Sequence, residues 1–166
     1  LADKLKSELR GFVGHYYDID IMSCDSESKE RLRPLMVFHG GMMRGRTEGR
    51  YWIRCLTEKL EEDNPSGVVI ITDIRHSEYD GNDEIAWVKN KLGGDLVYID
   101  RHKVKSGVKI YVGPPNLEES RNNKSLKKSA DYIIDWPTIY GSEEEIETGL
   151  VPFVDEFVEW YKRKHE

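Results

Sequence analysis

The stretch from residue 68 to residue 101, VVIITDIRHSEYDGNDEIAWVKNKLGGDLVYIDR, decides the fold that we expect. It opens on a β-branched run (68–71) and closes on a second apolar run (96–99). Between the two runs, residues 82–92 carry apolar side chains at helical spacing, and two glycines follow as a stop signal. An apolar run without polar alternation is typical of a strand buried on both faces. The stretch therefore predicts parallel strands that are covered by helices.

The flanking sequence extends this alternation of strands and helices. Helices are predicted over 2–14, 51–62, 117–128 and 146–162. A further helix is predicted to begin after Ser26 as its N-cap and to break at Gly40-Gly41. Residues 132–134 are predicted to form another strand, and residues 108–112 form either a strand or part of a loop. We predict an α/β fold of three layers, with a mainly parallel sheet flanked by helices. Because 166 residues fit one domain by size, we expect a single domain.

Composition narrows the class of protein and its partners. Hydrophobic residues make up 38% and aromatic residues 10% of the chain, which argues against a disordered or fibrous protein. No apolar run approaches the roughly 20 residues of a membrane helix, so we expect no membrane partner. The net charge of -6 argues against a nucleic-acid partner. The two cysteines are too few for a disulfide framework, which predicts a reducing, cytoplasmic setting.

Positive charge is concentrated in two basic islands. Residues 31–54 hold six arginines and one acid, and residues 101–128 hold eight lysines or arginines and two acids. Residues 142–166 are the reverse, with eight acids and three lysines or arginines. Each island predicts either a local anionic ligand or an ordinary solvated surface. Because the guanidinium fork matches phosphate, the first island, which contains only arginines as bases, favours a phosphate.

An acid and an arginine follow each of the two apolar runs. Asp73 and Arg75 come after the first run, and Asp100 and Arg101 end the second. Ligands bind beyond the carboxyl ends of parallel strands, so we expect Asp73 to support Mg²⁺ and Arg75 to reach a phosphate. In the alternative interpretation Asp73 and Arg75 form an internal ion pair. The basic stretch after Arg101 is either a mobile cover over a ligand or a disordered surface loop.

The first island also contains a glycine-rich stretch, HGGMMRGR (39–46), with Tyr51 and Trp52 after it. Glycine lets the backbone approach a ligand, arginine binds phosphate, and aromatic rings stack on a base. Arg44 and Arg46 flank a glycine, which makes them the strongest phosphate candidates. Trp52 stands at helical spacing from apolar neighbours and is better explained as a core residue.

The order of these motifs resembles the bacteriophage-type deoxynucleoside monophosphate kinases, which belong to the P-loop kinases. The shared order is a strand ending in Asp-x-Arg (Asp73, Arg75), a helix start (Asn82, Glu84), Trp-Val (87–88), Gly-Gly (93–94) and a strand ending in Arg101. The segment RLRPLMVFHGGMMRGRTEGRYWIRCL (31–56) is similar to the substrate segment of that family, and residues 1–6 are similar to the start of its second helix. EESRNNKSLKKSADYIIDW (118–136) is similar to its lid followed by its last strand.

The resemblance implies transfer of the γ-phosphoryl group of ATP, with Mg²⁺, to a (deoxy)nucleoside monophosphate. It implies catalytic roles for Asp73, Arg75 and Arg101, contact of Arg121 with the ATP phosphates, and no direct metal ligand. The implied substrate-binding residues are Arg33, His39, Gly40, Arg44, Arg46, Tyr51, Trp52 and Glu84. It divides one kinase-like domain (1–166) into a substrate-binding helical part at about 15–62 and a lid-like part at about 101–128. A homodimer is possible, and a phage-encoded protein would act in the host cytoplasm.

The sequence departs from the family at the phosphate loop. No G-x-x-x-x-G-K-[ST] motif occurs in these 166 residues, and in the family this loop precedes the segment that corresponds to Ala2. We expect the loop and its strand either to lie upstream of Leu1 or to have been lost. If they are lost, ATP lacks its main phosphate cradle, and the chain is a non-catalytic nucleotide-binding or assembly module. A phosphate loop in the reading frame upstream of Leu1 would decide for the enzyme.

Overall fold

The chain divides into two compact units in the computed structural model, which describes residues 2–79, 81–114 and 117–166. The helical unit contains the described residues up to Ile74 together with Glu78–Trp87. The sheet unit contains Arg75–Ser77 and the described residues of Val88–Glu166. Within the described ranges, no helix has both the length and the apolar character that crossing a membrane requires.

Three helices form most of the helical unit: α1 (Ala2–Tyr17), α2 (Ser26–Arg46) and α3 (Arg50–Asp63). The core of this unit consists of Leu9, Val13, Ile21 and Leu32, of which Val13 and Ile21 are almost completely buried. Leu9 and Val13 stand four residues apart on α1, so they share one face of the helix. Burying a side chain of this size stabilises the fold by about 1.5–3 kcal/mol.

Helix α2 begins and ends at other residues than the sequence predicts. Its N-cap is Asp25 rather than Ser26, because the Asp25 carboxylate accepts a hydrogen bond of 2.8 Å from the backbone amide of Ser28. The predicted break at Gly40-Gly41 is wrong, since the helix continues to Arg46. Packing explains the continuation: the Gly40 carbonyl accepts a hydrogen bond from Trp52, and a Cβ at Gly40 would lie 3.1 Å from Leu5.

The predicted helix over 82–92 is shorter and changes its hydrogen-bonding pattern. It begins after Asp83, forms the brief helix α4 (Glu84–Ala86) and then a π-helical segment (Trp87–Lys91). The Asp83 side chain caps α4 by accepting a hydrogen bond of 2.9 Å from the Glu84 amide.

The sheet unit contains β1 (Val97–Lys105), β2 (Val108–Tyr111), α5 (Leu117–Ser129), β3 (Tyr132–Pro137) and α6 (Glu143–His165). The strand order is β2-β1-β3, with β1 antiparallel to β2 and parallel to β3. Ser106 and Gly107 form the turn between β1 and β2, with φ values of 51° and 77°. A two-residue hairpin turn of the primed type needs positive φ at both positions, which Gly107 adopts without strain.

The prediction of a three-layer, mainly parallel sheet is wrong. The described residues form one three-stranded mixed sheet, with one parallel and one antiparallel pair of strands. The β-branched run at 68–71, predicted to be a buried strand, has no regular secondary structure, and Val68 and Ile70 are 68% and 82% exposed. A strand needs a neighbour for its backbone N–H and C=O groups, and this run pairs with no strand in the described ranges.

Helix α6 packs on β3 through aromatic rings. The ring of Tyr132 lies 4.8 Å from that of Trp160 and 5.8 Å from that of Phe157, centroid to centroid. Near the end of the helix, His165 Nε2 lies 2.7 Å from an Asp95 carboxylate oxygen, and Lys164 forms an ion pair with the same side chain. Offset ring contacts add about 0.5–1.5 kcal/mol per pair beyond the buried area, so they hold α6 against the sheet.

Candidate functional site

Glu8, His39 and Tyr51 form a partly buried polar cluster in the helical unit, which we call the Glu8 cluster. Each residue belongs to a different helix, α1, α2 and α3 respectively. The Nε2 atom of His39 lies 2.8 Å from one Glu8 carboxylate oxygen, and the Tyr51 hydroxyl donates a hydrogen bond to the other. One carboxylate therefore fixes two of the three rings that the resemblance assigns to substrate binding.

Glu8 also sets the electrostatics of this cluster. Burial by itself would raise the pKa of Glu8, but hydrogen bonds from Tyr51 and His39 outweigh burial, so this pKa lies below its ordinary value. The hydrogen bond to Glu8, followed by burial, raises the pKa of Tyr51 to about 12. Near neutral pH the cluster therefore contains a carboxylate and a phenol that keeps its proton.

Trp52 forms the buried side of the cluster. Only 6% of its surface is exposed, and its indole Nε1 donates a hydrogen bond of 3.1 Å to the Gly40 carbonyl. Its ring centroid lies 4.9 Å from that of Tyr51 and 6.1 Å from that of His39, both edge-on. A ring so deeply buried does not offer a free face for stacking, so Trp52 supports the other two rings.

Arg44 is buried among three carboxylates of the same unit. Its side chain is 6% exposed, and its Nε, Nη1 and Nη2 atoms lie 3.3, 3.2 and 2.5 Å from oxygens of Glu78, Glu84 and Asp83. The guanidinium also lies over the Tyr79 ring, 5.7 Å from its centroid. Since every guanidinium nitrogen has a carboxylate partner, a phosphate would have to displace an acid to bind Arg44.

Asp83 binds both the side chain of Arg44 and the backbone that precedes α4. One carboxylate oxygen accepts from the amides of Glu78 and Tyr79, and the other accepts from Arg44 and the Glu84 amide. Burial would raise the pKa of Asp83, but these hydrogen bonds outweigh it and hold the pKa below its ordinary value. The network thus has a structural function: it ties Glu78, Tyr79, Asp83 and Glu84 to the end of α2.

The other arginines of the first island are mostly held by local acids. Arg33 makes a hydrogen bond of 2.8 Å to Glu30 one turn away. Arg46, in the last turn of α2, is exposed and has no ion-pair partner in the described ranges. Arg46 is therefore the arginine of this stretch whose guanidinium fork is open to a phosphate.

Residues 40–47, GGMMRGRT, come within one residue of a phosphate-loop motif, with arginine in place of its lysine. The structure excludes that function for them, since residues 40–46 lie within α2. A phosphate loop cradles its ligand with free backbone N–H groups, and helical N–H groups are already bonded to carbonyls.

The residues that we predict to be catalytic do not lie at the ends of strands. Asp73 lies in the irregular segment before α4 and has a positive φ of 66°. Arg75 belongs to the sheet unit and is also in irregular backbone. Arg101 does lie in a strand, β1, where it is exposed, and Arg121 is exposed on α5. Their catalytic roles stay predictions.

The sheet unit has its own charged cluster beside the parallel strand pair. Lys127 forms an ion pair with Asp100, and its Nζ lies 5.3 Å from the centroid of the Tyr111 ring. The buried His102 approaches Asp135 to 2.7 Å, at an angle outside that of a regular hydrogen bond. Since these side chains are paired with each other, the cluster mainly ties α5 and the hairpin to the sheet.

Sequence reasoning missed Glu8 and Asp83, which organise the two clusters of the helical unit. Glu8 is an ordinary surface-type acid in the α1 pattern, and no local motif distinguishes it. Asp83 carries one usable signal, because an aspartate directly before a helix is a favoured N-cap.

Comparisons with protein-family models, with curated proteins and with solved structures found no match for this chain. The resemblance to phage-type kinases therefore rests on the motifs and their order.

Proposed function

We propose that the chain binds a (deoxy)nucleoside monophosphate through its helical unit and, where a phosphate loop lies upstream of Leu1, acts in phosphoryl transfer from ATP to that nucleotide. The supporting observation is that His39 and Tyr51, both from the segment that resembles a substrate segment, converge on Glu8, with Trp52 and its partner Gly40 beside them. Convergent polar groups beside aromatic rings are typical of small-molecule sites.

Each residue of this proposed site has a distinct function. Tyr51 and His39 offer partly exposed rings to a nucleobase, and Glu8 fixes the orientation of both. Arg46, open at the end of α2, binds the phosphate through its guanidinium fork. Arg44, which is engaged by three acids, keeps the end of α2 in place instead.

The proposed reaction needs little covalent chemistry from the protein. An oxygen of the acceptor phosphate forms a bond to the γ-phosphorus of ATP, the bond to the β–γ bridging oxygen breaks, and ADP leaves with that electron pair. The acceptor is already ionised near neutral pH, because the second pKa of a phosphate monoester is about 6. Mg²⁺ enters with ATP as part of the substrate and is held chiefly by phosphates and water.

The experiment that tests the proposal measures binding and turnover on the same protein. The chain is titrated with each of the deoxynucleoside monophosphates, and diphosphate formation is followed after addition of MgATP. Binding is the expected result, with turnover in the protein that includes a phosphate loop upstream of Leu1. Binding without turnover would favour the non-catalytic nucleotide-binding module. Absence of binding for every monophosphate would contradict both versions.

A further inference from the structure

The β1–β2 hairpin extends beyond the rest of the sheet. Pairing between β1 and β3 ends at His102 and Pro137, whereas pairing between β1 and β2 continues to Lys105 and Val108. In the described ranges, residues 103–110 therefore form a ribbon of two strands with no third strand beside it. We call this segment the basic ribbon.

Both faces of the basic ribbon carry exposed aliphatic side chains, and Lys109, on the same face as Val104, forms an ion pair with Asp135 of β3. Val104 is 62% exposed on one face, and Val108 and Ile110 are 62% and 49% exposed on the other. An isolated pair of strands is marginally stable in water, and exposed aliphatic side chains on both faces add to that cost. A partner that covers both faces at once would therefore stabilise the ribbon.

Positive charge runs along one face of the ribbon. Lys103 and Lys105 alternate with residues of the opposite face, so they project on the same side, about 7 Å apart by the rise of a strand. Both are exposed, and neither has an ion-pair partner in the described ranges. No acid occurs anywhere in residues 101–114. Cations in a row match a linear polyanion better than a single phosphate, which needs converging donors.

We propose that the basic ribbon inserts into the major groove of duplex DNA and binds it without base specificity through the phosphates. The major groove of B-DNA, about 12 Å wide, admits a two-stranded ribbon and covers both of its faces. A lipid bilayer would cover only one face of the ribbon, and an acidic peptide would pair only with one edge of it. Neither partner would cover both faces. Lysines near the edge oppose pairing with a second copy, because the like charges would meet.

The proposal reverses the expectation drawn from the net charge of -6. Much of the negative charge lies in residues 142–166, outside the ribbon. Asp135 does contact the ribbon, through Lys109, but on the face opposite Lys103 and Lys105. Charges separated by more than about 8 Å are screened at physiological salt, so the local charge governs contact with phosphates. The proposal is independent of nucleotide binding by the helical unit.

The test is fluorescence anisotropy of a labelled duplex of about 20 base pairs at about 50 mM salt, without nucleotide. The ribbon variant Lys103→Gln/Lys105→Gln is compared with a matched control, Lys124→Gln/Lys128→Gln, which removes the same charge from exposed lysines of α5. We expect the ribbon variant to bind at least about tenfold more weakly, and its plot of log affinity against log salt to be less steep by about 2. The control should resemble the wild type.

Three results would overturn the proposal. The first is no duplex binding by the wild type, and the second is equal loss in the ribbon variant and the control. The third is equal or tighter binding of a competing probe: phosphatidylserine vesicles, poly-glutamate or duplex RNA, whose major groove is too narrow for a ribbon. Circular dichroism of both variants confirms that they are folded, which separates lost binding from lost structure.

Discussion

Arg44 shows at the residue scale how a candidate ligand can be a structural residue. Its replacement by alanine removes the positive charge that pairs with the buried carboxylates of Asp83 and Glu84. We expect Arg44→Ala to lower the free energy of unfolding by about 3–5 kcal/mol, because an uncompensated buried charge is costly. Urea denaturation measures this loss. The control, Arg31→Ala, removes only an exposed pair with Glu27 and should cost less than about 1 kcal/mol. Equal stabilities of the two variants would contradict this assignment.

Tyr51 tests the Glu8 cluster by its ionisation. The folded-state pKa of about 12 lies above the ordinary value of about 10. A raised pKa contributes stability that is complete below pH 10 and is lost as the pH rises towards 12. We expect the melting temperature to fall more steeply above pH 10 in the wild type than in Tyr51→Phe. Tyr16→Phe, at an exposed ring of α1, should follow the wild type. Identical alkaline profiles in all three proteins would show that Tyr51 is not coupled to Glu8.

Helix α2 offers a matched comparison at the scale of the element. A Cβ at Gly41 would meet no atom within 4 Å, whereas one at Gly40 would lie 3.1 Å from Leu5. We expect Gly41→Ala to raise the free energy of unfolding by about 0.5–1 kcal/mol through helix propensity. Gly40→Ala should gain less or lose stability, since Leu5 must move. Thermal unfolding of both variants measures these changes in stability. A larger gain in stability for Gly40→Ala than for Gly41→Ala would contradict the packing of α1 on α2.

Local pattern predicted most helices and not the arrangement of the strands. The helices at 51–62, 117–128 and 146–162 form with ends that shift by at most three residues, because periodicity and caps are local signals. The run at 68–71 has the composition of a strand, but strand formation depends on a partner elsewhere in the chain. The stretch after residue 101 forms a hairpin because Ser106 and Gly107 supply the turn. The sequence interpretation of this stretch is based on its basic charge and does not use this turn signal.

The candidate site was predictable only in part. The residue types of His39, Gly40 and Tyr51 indicated a ligand site, and these residues do lie together. Their organiser, Glu8, is 31 positions away from His39, so only the packing of α1 against α2 reveals it. The partners of Arg44 are likewise distant in sequence, 34 to 40 positions away. Only the fold shows that these acids neutralise the charge of Arg44.

At the scale of the whole molecule, both units depend on carboxylates with lowered pKa. Asp83 in the helical unit and Asp131 in the sheet unit resist the effect of burial through hydrogen bonds, those of Asp131 coming from Lys89 and the Leu96 amide. A lowered pKa contributes stability above about pH 4 that is lost as the pH falls through the folded value. We expect the melting temperature to drop below pH 4, and less steeply in Asp131→Asn. A melting temperature that stays constant down to pH 2 would contradict this.

The central claim, that the helical unit binds a nucleoside monophosphate, is tested most directly by calorimetric titration of one protein and two variants. The wild type is expected to bind at least one deoxynucleoside monophosphate. Arg46→Ala is expected to weaken that binding by about 1.5–3 kcal/mol, through loss of a charged hydrogen bond to phosphate. Arg31→Ala, also an exposed arginine of α2, should bind like the wild type. Equal affinity in all three proteins would remove Arg46 from the site, and absence of heat with every monophosphate would contradict the claim itself.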